Sequence, residues 1–586
     1  MKHLSGLDAT FLHLETPEMP MHVGGLNVIK LPPGYQGDYY EAVKAHVASR
    51  MHLAPVFTRK LEAMPFDLAN PIWVDDDDID MEYHVRRIIL SKPGSMKQLE
   101  TYLGRLHSSL IDRSRPLWEF YVIEGLDAQD CGGEVAFYGK LHHAAIDGQA
   151  GVALANAILD LTPVPRDVKA PAAKKRNASY QLGVAEMVGA ALRNTVMQYV
   201  KLAKMLPGAA GAIKTAVKAR KNKPAESKGW NMGPRTPLNV AITNQRAFGT
   251  TSLSLRAVKD LGKATGTTLN DVVMAVVAGG LRHYLQDNGG VPAKPLIAAV
   301  PFSLREAGST VDAKDLDNQS SMMLIPLATQ LADPLERLRA INAAAMSAKS
   351  TAGTFKGVIP TDFPSLGAPW ILSGLSSLYG RSKLSNKIPP FANVVISNVP
   401  GPQFPLYLAG GEFVSYYPAS IITHGMALNV TVQSYNGRID FGLTACRRTL
   451  PEAREIAQSM HDAFEELALL VAKVASGEIA PPAPKPVAVA KPGLVKRARG
   501  AVANTVSAAT GTVKATVKNL ATRRQAKTAP VLAAAPPTAP AKPKAKKAAA
   551  KPITAKSIVA ISAVAKKVVV KKPATKPAAL PKKRVR

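Results

Sequence analysis

The stretch Val135-Ala136-Phe137-Tyr138-Gly139-Lys140-Leu141 runs directly into His142-His143-Ala144-Ala145-Ile146-Asp147-Gly148. Val135, Phe137, Gly139 and Leu141 alternate along the chain, the period of a strand. After Gly148 and Gly151, the apolar residues Leu154, Ile158 and Leu159 follow helical spacing. A strand, a tight connection and a helix therefore follow one another, and the chain reads as mixed α/β. His142–Gly148 is the connection at the carboxyl end of the strand, where a rigid scaffold can hold a reactive side chain.

A histidine beside a sharp Asp-Gly turn suits general-base work. Imidazole has an ordinary pKa of ~6.5, so it can accept a proton at neutral pH. His143 is the candidate base, with His142 in support. Asp147 lies four residues further on and is suited to fixing the loop or holding the ring in one tautomer. Gly148 and Gly151 leave room for close approach of backbone or ligand. Three other readings compete. The chain has twelve histidines, and a single one is most often a hydrogen-bonded structural residue. A metal site from His142, His143 and Asp147 is disfavoured, because neighbours on an extended segment point to opposite faces. Serine hydrolysis is disfavoured too, since the G-x-S-x-G elbow is missing. Neither a Walker A motif nor G-x-G-x-x-G is found, so the usual marks of nucleotide-phosphate chemistry are lacking.

Working outward, residues 1–165 read as one α/β segment. His22–Ile29 reads as extended. Ser95 with Gln98 forms a capping-box start, followed by Leu99, Leu103, Leu106 and Leu110 at helical spacing. Residues 166–235 are a basic linker. Within it Val184, Val188, Leu192, Val196, Tyr199, Leu202 and Leu206 form an apolar stripe, read as a helix packed on the body or lying on an anionic lipid surface. Residues 236–480 are again α/β. Thr268 and Asp271 mark a helix start, and Asn436-Gly437 marks a hairpin between Ala427–Gln433 and Arg438–Leu443. Glu452–Val474 reads as a closing helix. Residues 481–586 are Ala/Lys/Pro-rich, a composition expected to be disordered alone.

The net charge of +31 over 586 residues suggests a nucleic-acid binder until it is located. Residues 481–586 hold 25 Lys and Arg and no Asp or Glu; subtracting these 25 from +31 leaves +6 for residues 1–480. The two cysteines, Cys131 and Cys446, make no disulfide framework, which fits a reduced, intracellular setting. The N-terminal residues lack the apolar core of a signal peptide. The apolar run around Val272–Leu281 is far short of the ~20 residues of a membrane span. Any membrane contact is expected to be peripheral.

The motif does not stand alone. Leu7-Asp8-Ala9-Thr10-Phe11, Pro116-Leu117-Trp118-Glu119, Asn270-Asp271, Val300-Pro301-Phe302-Ser303-Leu304-Arg305, Asn318-Gln319 and the run Asn393 to Pro402 occur in that order. Together with His142–Gly148 they resemble the bacterial wax ester synthase/diacylglycerol acyltransferase family, over roughly residues 1–475. The family sits in the superfamily typified by chloramphenicol acetyltransferase and peptide-synthetase condensation domains. The tail lies outside the resemblance.

The resemblance implies an α/β fold of two chloramphenicol-acetyltransferase-like lobes with a substrate tunnel between them. It implies acyl transfer from a long-chain acyl-CoA, used as substrate, to diacylglycerol or a fatty alcohol, with His143 as base and neither metal nor further cofactor. Asn270 is a candidate for positioning His143 or binding the oxyanion, or else a helix cap. Asp147 is expected to be structural, paired with an arginine, and Pro116–Glu119 to shape the lobe. Gly148, Ser397 and Asn398 are candidate substrate contacts; a turn-forming role for Ser397 and Asn398 is the alternative. The expected setting is cytoplasmic, at the inner membrane or a lipid inclusion. The tail is expected on an anionic lipid surface, with nucleic acid as its alternative partner. Two further readings are a same-fold acyltransferase with a polyketide or peptide acceptor, and a non-enzymatic granule- or DNA-binding protein.

Overall fold

The computed structural model describes residues 2–4, 6–64, 70–146, 148–170, 232–303, 320–354 and 389–479. All of these belong to one unit, Met1–Pro484. The linker stripe Val184–Leu206, Arg305, Asn318-Gln319, Asp147 and the tail 481–586 lie outside the described residues.

The strands in chain order are β1 (Lys2–His3), β2 (His22–Lys30), β3 (Arg59–Glu62), β4 (Ile72–Asp75), β5 (Val85–Ile89), β6 (Trp118–Glu124), β7 (Val135–His142) and β8 (Arg246–Ser254). They continue as β9 (Ile297–Ser303), β10 (Ser320–Pro326), β11 (Val394–Pro400), β12 (Tyr407–Leu408), β13 (Gly411–Phe413), β14 (Tyr417–Ala419), β15 (Leu428–Tyr435) and β16 (Arg438–Cys446). One sheet has the order β12-β13-β2-β7-β6-β5, with β14 also on β2; a second has β10-β9-β11-β15-β16-β8; a small one is β1-β4-β3.

In the first sheet, β6 and β7 are central and buried on both faces. Trp118, Phe120, Phe137 and Leu141 pack with Tyr39, Val43 and Val47 of the helix Tyr39–Arg50. Tyr121, Ile123, Ala136 and Tyr138 pack on the other face with Leu99 and Leu103 of the helix Met96–Ser108. That helix begins at the Ser95/Gln98 capping box, but it ends at Ser108, so Leu110 lies beyond it and is exposed. In the second sheet, Val394, Ile396, Val430 and Phe441 meet Val272, Val276, Ile456 and Met460 from the helices Leu269–Asp287 and Ala453–Ala475. Asn436 and Gly437 turn the β15–β16 hairpin with φ of +41° and +81°, the left-handed pair that favours Asn-Gly.

The two sheets do not divide the chain at one point. β12, β13 and β14 come from the second half of the sequence and pair with β2 or with each other in the first sheet. β14 also crosses close over β16, where Gly442 faces the carbonyl of Pro418; a side chain there has no space. Buried Glu100 adds a second tie. Its Oε1 accepts from the Thr250 N–H at 2.9 Å and hydroxyl at 2.7 Å, and its Oε2 lies 3.0 Å from Arg454 Nη1. Among the described residues, no helix is long and apolar enough to cross a membrane.

Candidate active site

β7 delivers His142 as its last residue, and His143–Ala145 then form one 3-10 turn before the helix Gly148–Ile158. The change of backbone at this point sends two neighbouring imidazoles to different places. The His142 ring is fully buried. Its Nδ1 accepts the Ala144 N–H at 3.1 Å, so the proton of the neutral ring resides on Nε2, which lies 3.3 Å from Glu15 Oε1. The His143 ring is half-buried and stacks on Phe11, with centroids 3.9 Å apart and planes 15° from parallel.

Burial holds the His143 pKa down to about 4, and charge on His142 acts in the same direction; the carbonyl of His143 itself partly offsets them. The ring is therefore neutral at neutral pH and has a lone pair to offer. Its Nδ1 is buried without a hydrogen-bond partner among the described residues.

The turn is braced from several sides. The His143 N–H donates to the Met21 carbonyl at 2.8 Å, and the His142 N–H to the Leu117 carbonyl at 3.0 Å. Ala144 packs with Leu4, Ala9 and Leu12, against which Phe11 also rests. Phe11 touches the core of the second sheet as well, and Met21 is part of that core, so the His143 turn sits where the two sheets meet. The far end of the helix Gly148–Ile158 is held by Arg166. Its guanidinium donates to the carbonyls of Asn156, Ala157 (2.8 Å) and Leu159 (2.6 Å), a cation at the negative helix end. Buried Asp160 ties Arg166 (3.1 Å) to Arg50 (3.0 Å).

Glu15 was not singled out by sequence reading. Its buried carboxylate accepts the Met21 N–H at 3.0 Å and two bonds from Arg113, at 2.6 and 3.0 Å. Burial opposes its charge, but His142, Arg113 and the Met21 N–H outweigh burial and hold its pKa at about 2. Phe11 was visible only as part of an N-terminal block. Both residues lie far upstream of His143, and no local spacing signals their contact.

Asn270 is the second residue of the helix Leu269–Asp287. The cap is Thr268, in a reciprocal capping box with Asp271, which corrects the helix-cap reading of Asn270. Its Oδ1 instead accepts from Asn398 Nδ2 at 3.4 Å. Ser397 and Asn398 lie on β11, paired in parallel with Thr431 and Val432, so they are strand residues and not a turn. Strand alternation turns Asn398 toward the helix layer and Ser397 toward the opposite face. Gly148 opens the helix after the turn. The structure thus joins His142 and His143 to Phe11 and Glu15, and Asn270 to Asn398.

Pro116–Glu119 shapes the first sheet. Trp118 is buried and donates from Nε1 to the Phe57 carbonyl at 3.2 Å, while Glu119 forms a buried 2.6 Å ion pair with Lys140.

Residues 4–273 match the wax ester synthase/diacylglycerol acyltransferase catalytic domain, and residues 316–468 match the C-terminal domain of the same family. A Mycobacterium tuberculosis protein assigned as a diacylglycerol O-acyltransferase is 35% identical over 470 residues, covering 79% of this chain and 99% of the relative. The O-acyltransferase WSD of Acinetobacter baylyi is 31% identical over 479 residues, covering 81% of this chain and 98% of the relative. Among solved structures, the wax ester synthase/diacylglycerol acyltransferase from Marinobacter aquaeolei VT8 superposes with a TM-score of 0.57 at 31% identity, over 80% of this chain and 100% of that one. The chain is a member of the wax ester synthase/diacylglycerol acyltransferase family, with its mixed α/β fold.

Proposed function

We propose that the protein is an O-acyltransferase that moves a long-chain acyl group from acyl-CoA to diacylglycerol or a long-chain alcohol, with His143 as general base. The observation that carries this reading is the His143 ring itself: neutral, half-buried, stacked on Phe11 and placed where the two sheets meet. The names of its relatives point to O-acyl transfer and to the same acceptors.

In the proposed reaction, His143 Nε2 takes the hydroxyl proton of the acceptor as its oxygen attacks the thioester carbonyl. A tetrahedral oxyanion forms, then collapses and breaks the carbon–sulfur bond. The proton passes from His143 to the departing sulfur, giving ester and free CoA. Asn270 stands in the first turn of the helix Leu269–Asp287, where the helix end favours developing negative charge. Asn398 holds Asn270, Asp147 orients the loop, and Gly148 gives the substrate room beside it.

An apolar strip suits an acyl chain. Leu324, Ala299 and Val395 lie side by side across β10, β9 and β11, on the same face as Ser397, Met322 and Val399. Met322, Leu324 and Val399 are exposed. In this reading one lobe is built on the first sheet and includes residues 407–419 from the second half of the chain, the other is built on the second sheet, and the substrate tunnel lies between them. The basic linker 166–235 and the tail 481–586 hold the enzyme on an anionic membrane or lipid inclusion, where clustered lysines contribute about 1 kcal/mol each. Deleting residues 481–586 tests the tail: reduced recruitment to lipid droplets is expected, and recruitment unchanged, with binding to DNA instead, rejects this assignment.

Palmitoyl-CoA supplied with hexadecanol or with dioleoylglycerol tests the activity. Acceptor-dependent release of CoA is expected, and no release with either acceptor rejects it.

A further inference from the structure

Two paths lead from the Glu15 carboxylate to the His143 turn, and its backbone adds a third contact. Glu15 Oε1 lies 3.3 Å from His142 Nε2, and the Nδ1 of that ring accepts the Ala144 N–H, which closes the turn. The same Oε1 accepts the Met21 N–H at 3.0 Å, and the Met21 carbonyl accepts the His143 N–H at 2.8 Å. The Glu15 N–H donates to the Phe11 carbonyl at 3.2 Å, at the end of the helix that lays Phe11 on the His143 ring. The other oxygen of Glu15 is occupied by Arg113, which also donates to the Leu12 carbonyl at 2.8 Å.

We infer that Glu15 is a positioning residue for His143, setting the aim of the base through the His142 ring and the Met21 backbone. The inference rests on His143 being the base. A carboxylate suits the task where a neutral amide does not. Its Oε1 accepts the Met21 N–H and lies 3.3 Å from His142 Nε2 while its Oε2 takes both Arg113 bonds, whereas a glutamine presents one oxygen and one donor. With Nε2 facing a carboxylate, His142 keeps its proton on that nitrogen and leaves Nδ1 as acceptor for Ala144. Reversing that tautomer sets an N–H against an N–H and opens the turn. The Glu15 side chain is only 2% exposed, so its charge is tied to these partners and not to water. Arg113 at the rim, with a side chain 42% exposed, is the counter-ion that allows the charge to stay.

A base displaced by about 1 Å loses on the order of 10²-fold in rate without losing its substrate. Glu15→Gln is therefore expected to lower kcat by about 10- to 100-fold and to move KM for palmitoyl-CoA by less than about threefold. Arg113→Gln, at a half-exposed position, leaves Glu15 in place but without its counter-ion. It is expected to give the same split in a smaller measure, which keeps the test open if Glu15→Gln folds poorly. A cycle of Glu15→Gln with His142→Asn, read on kcat, separates positioning from a general weakening of the fold. Coupled residues give a double variant little worse than the poorer single one. A kcat unchanged in both Glu15→Gln and Arg113→Gln, or losses that multiply in the double variant, overturns the inference. His143→Ala, run alongside, keeps the two claims apart. An inactive His143→Ala beside a fully active Glu15→Gln overturns the role of Glu15 alone, whereas an active His143→Ala overturns both.

Discussion

Phe11 lies almost flat on His143, 15° from parallel and 3.9 Å between ring centroids. The contact joins a helix near the start of the chain to the turn after β7, and it covers one face of the imidazole. It fixes the ring plane and excludes water from that side, so the ring nitrogens keep one direction.

Replacing Phe11 therefore disturbs the base and not only the packing. An aromatic pair contributes about 0.5–1.5 kcal/mol beyond its buried area, so Phe11→Ala is expected to lower kcat by up to about tenfold, and Phe11→Trp to retain most of it. Steady-state kinetics of the two variants check this. Equal rates for Phe11→Ala and the parent enzyme contradict it.

The second prediction concerns pH. Burial, aided by His142, holds the folded-state pKa of His143 at about 4. With the neutral ring as the proposed base, the acid limb of kcat/KM is expected near pH 4 and not near the ordinary ~6.5 of imidazole. Stability follows the same groups. Between those two values the unfolded chain binds a proton that the folded chain refuses, so stability is lost as pH falls through this window. Buried His107, held at about 3, acts in the same sense and extends the window downward. Thermal melts and kcat/KM profiles between about pH 3.5 and 7 check both limbs. An acid limb at the ordinary imidazole value contradicts the burial argument.

The third concerns Asn270, whose Oδ1 is engaged by Asn398, leaving its amide N–H groups as donors. Loss of an oxyanion donor costs about 10²- to 10³-fold in kcat, so Asn270→Ala is expected in that range with little change in KM. Asn398→Ala, which removes only the support, is expected to cost less. An Asn398→Ala variant slower than Asn270→Ala reverses their assigned order.

The fourth concerns the fold. Lys140 is fully buried and pairs with buried Glu119 at 2.6 Å. Burial lowers the lysine pKa, against the pull of Glu119. Removing Lys140 leaves Glu119 with Arg86, 3.5 Å away, and the Tyr121 hydroxyl at 2.7 Å, so Lys140→Met is expected to destabilise by about 1–3 kcal/mol, and the double variant with Glu119→Leu to recover much of it. Urea unfolding of the three proteins measures this. A double variant as unstable as Lys140→Met contradicts it.

Much of the scaffold was legible because it is locally encoded. The Ser95/Gln98 and Thr268/Asp271 boxes, the Asn436-Gly437 turn and the alternation into His142 each mark a boundary within a few residues, and each lies where the chain bends or caps. Leu110 kept the helical rhythm of Leu99 and Leu103 without joining their helix, since periodicity does not show where backbone bonding stops. The entry of β12–β14 into the first sheet is a long-range pairing that no local pattern encodes. The same holds at the site. The turn that carries His143 was legible from strand, histidine pair and glycine, whereas Phe11 and Glu15 meet it only through the fold. Asn270 was read at the right helix end, but its partner on β11 was not foreseen.

The central claim is that His143 is the base. The direct measurement is CoA release from palmitoyl-CoA, with hexadecanol or dioleoylglycerol as acceptor, by the full-length protein and by His143→Ala, with the thermal transition of each recorded. The account predicts acceptor-dependent release by the former, and release lowered by about 10²- to 10⁴-fold or more in a variant that still folds. A folded His143→Ala protein that releases CoA at the parent rate would contradict it.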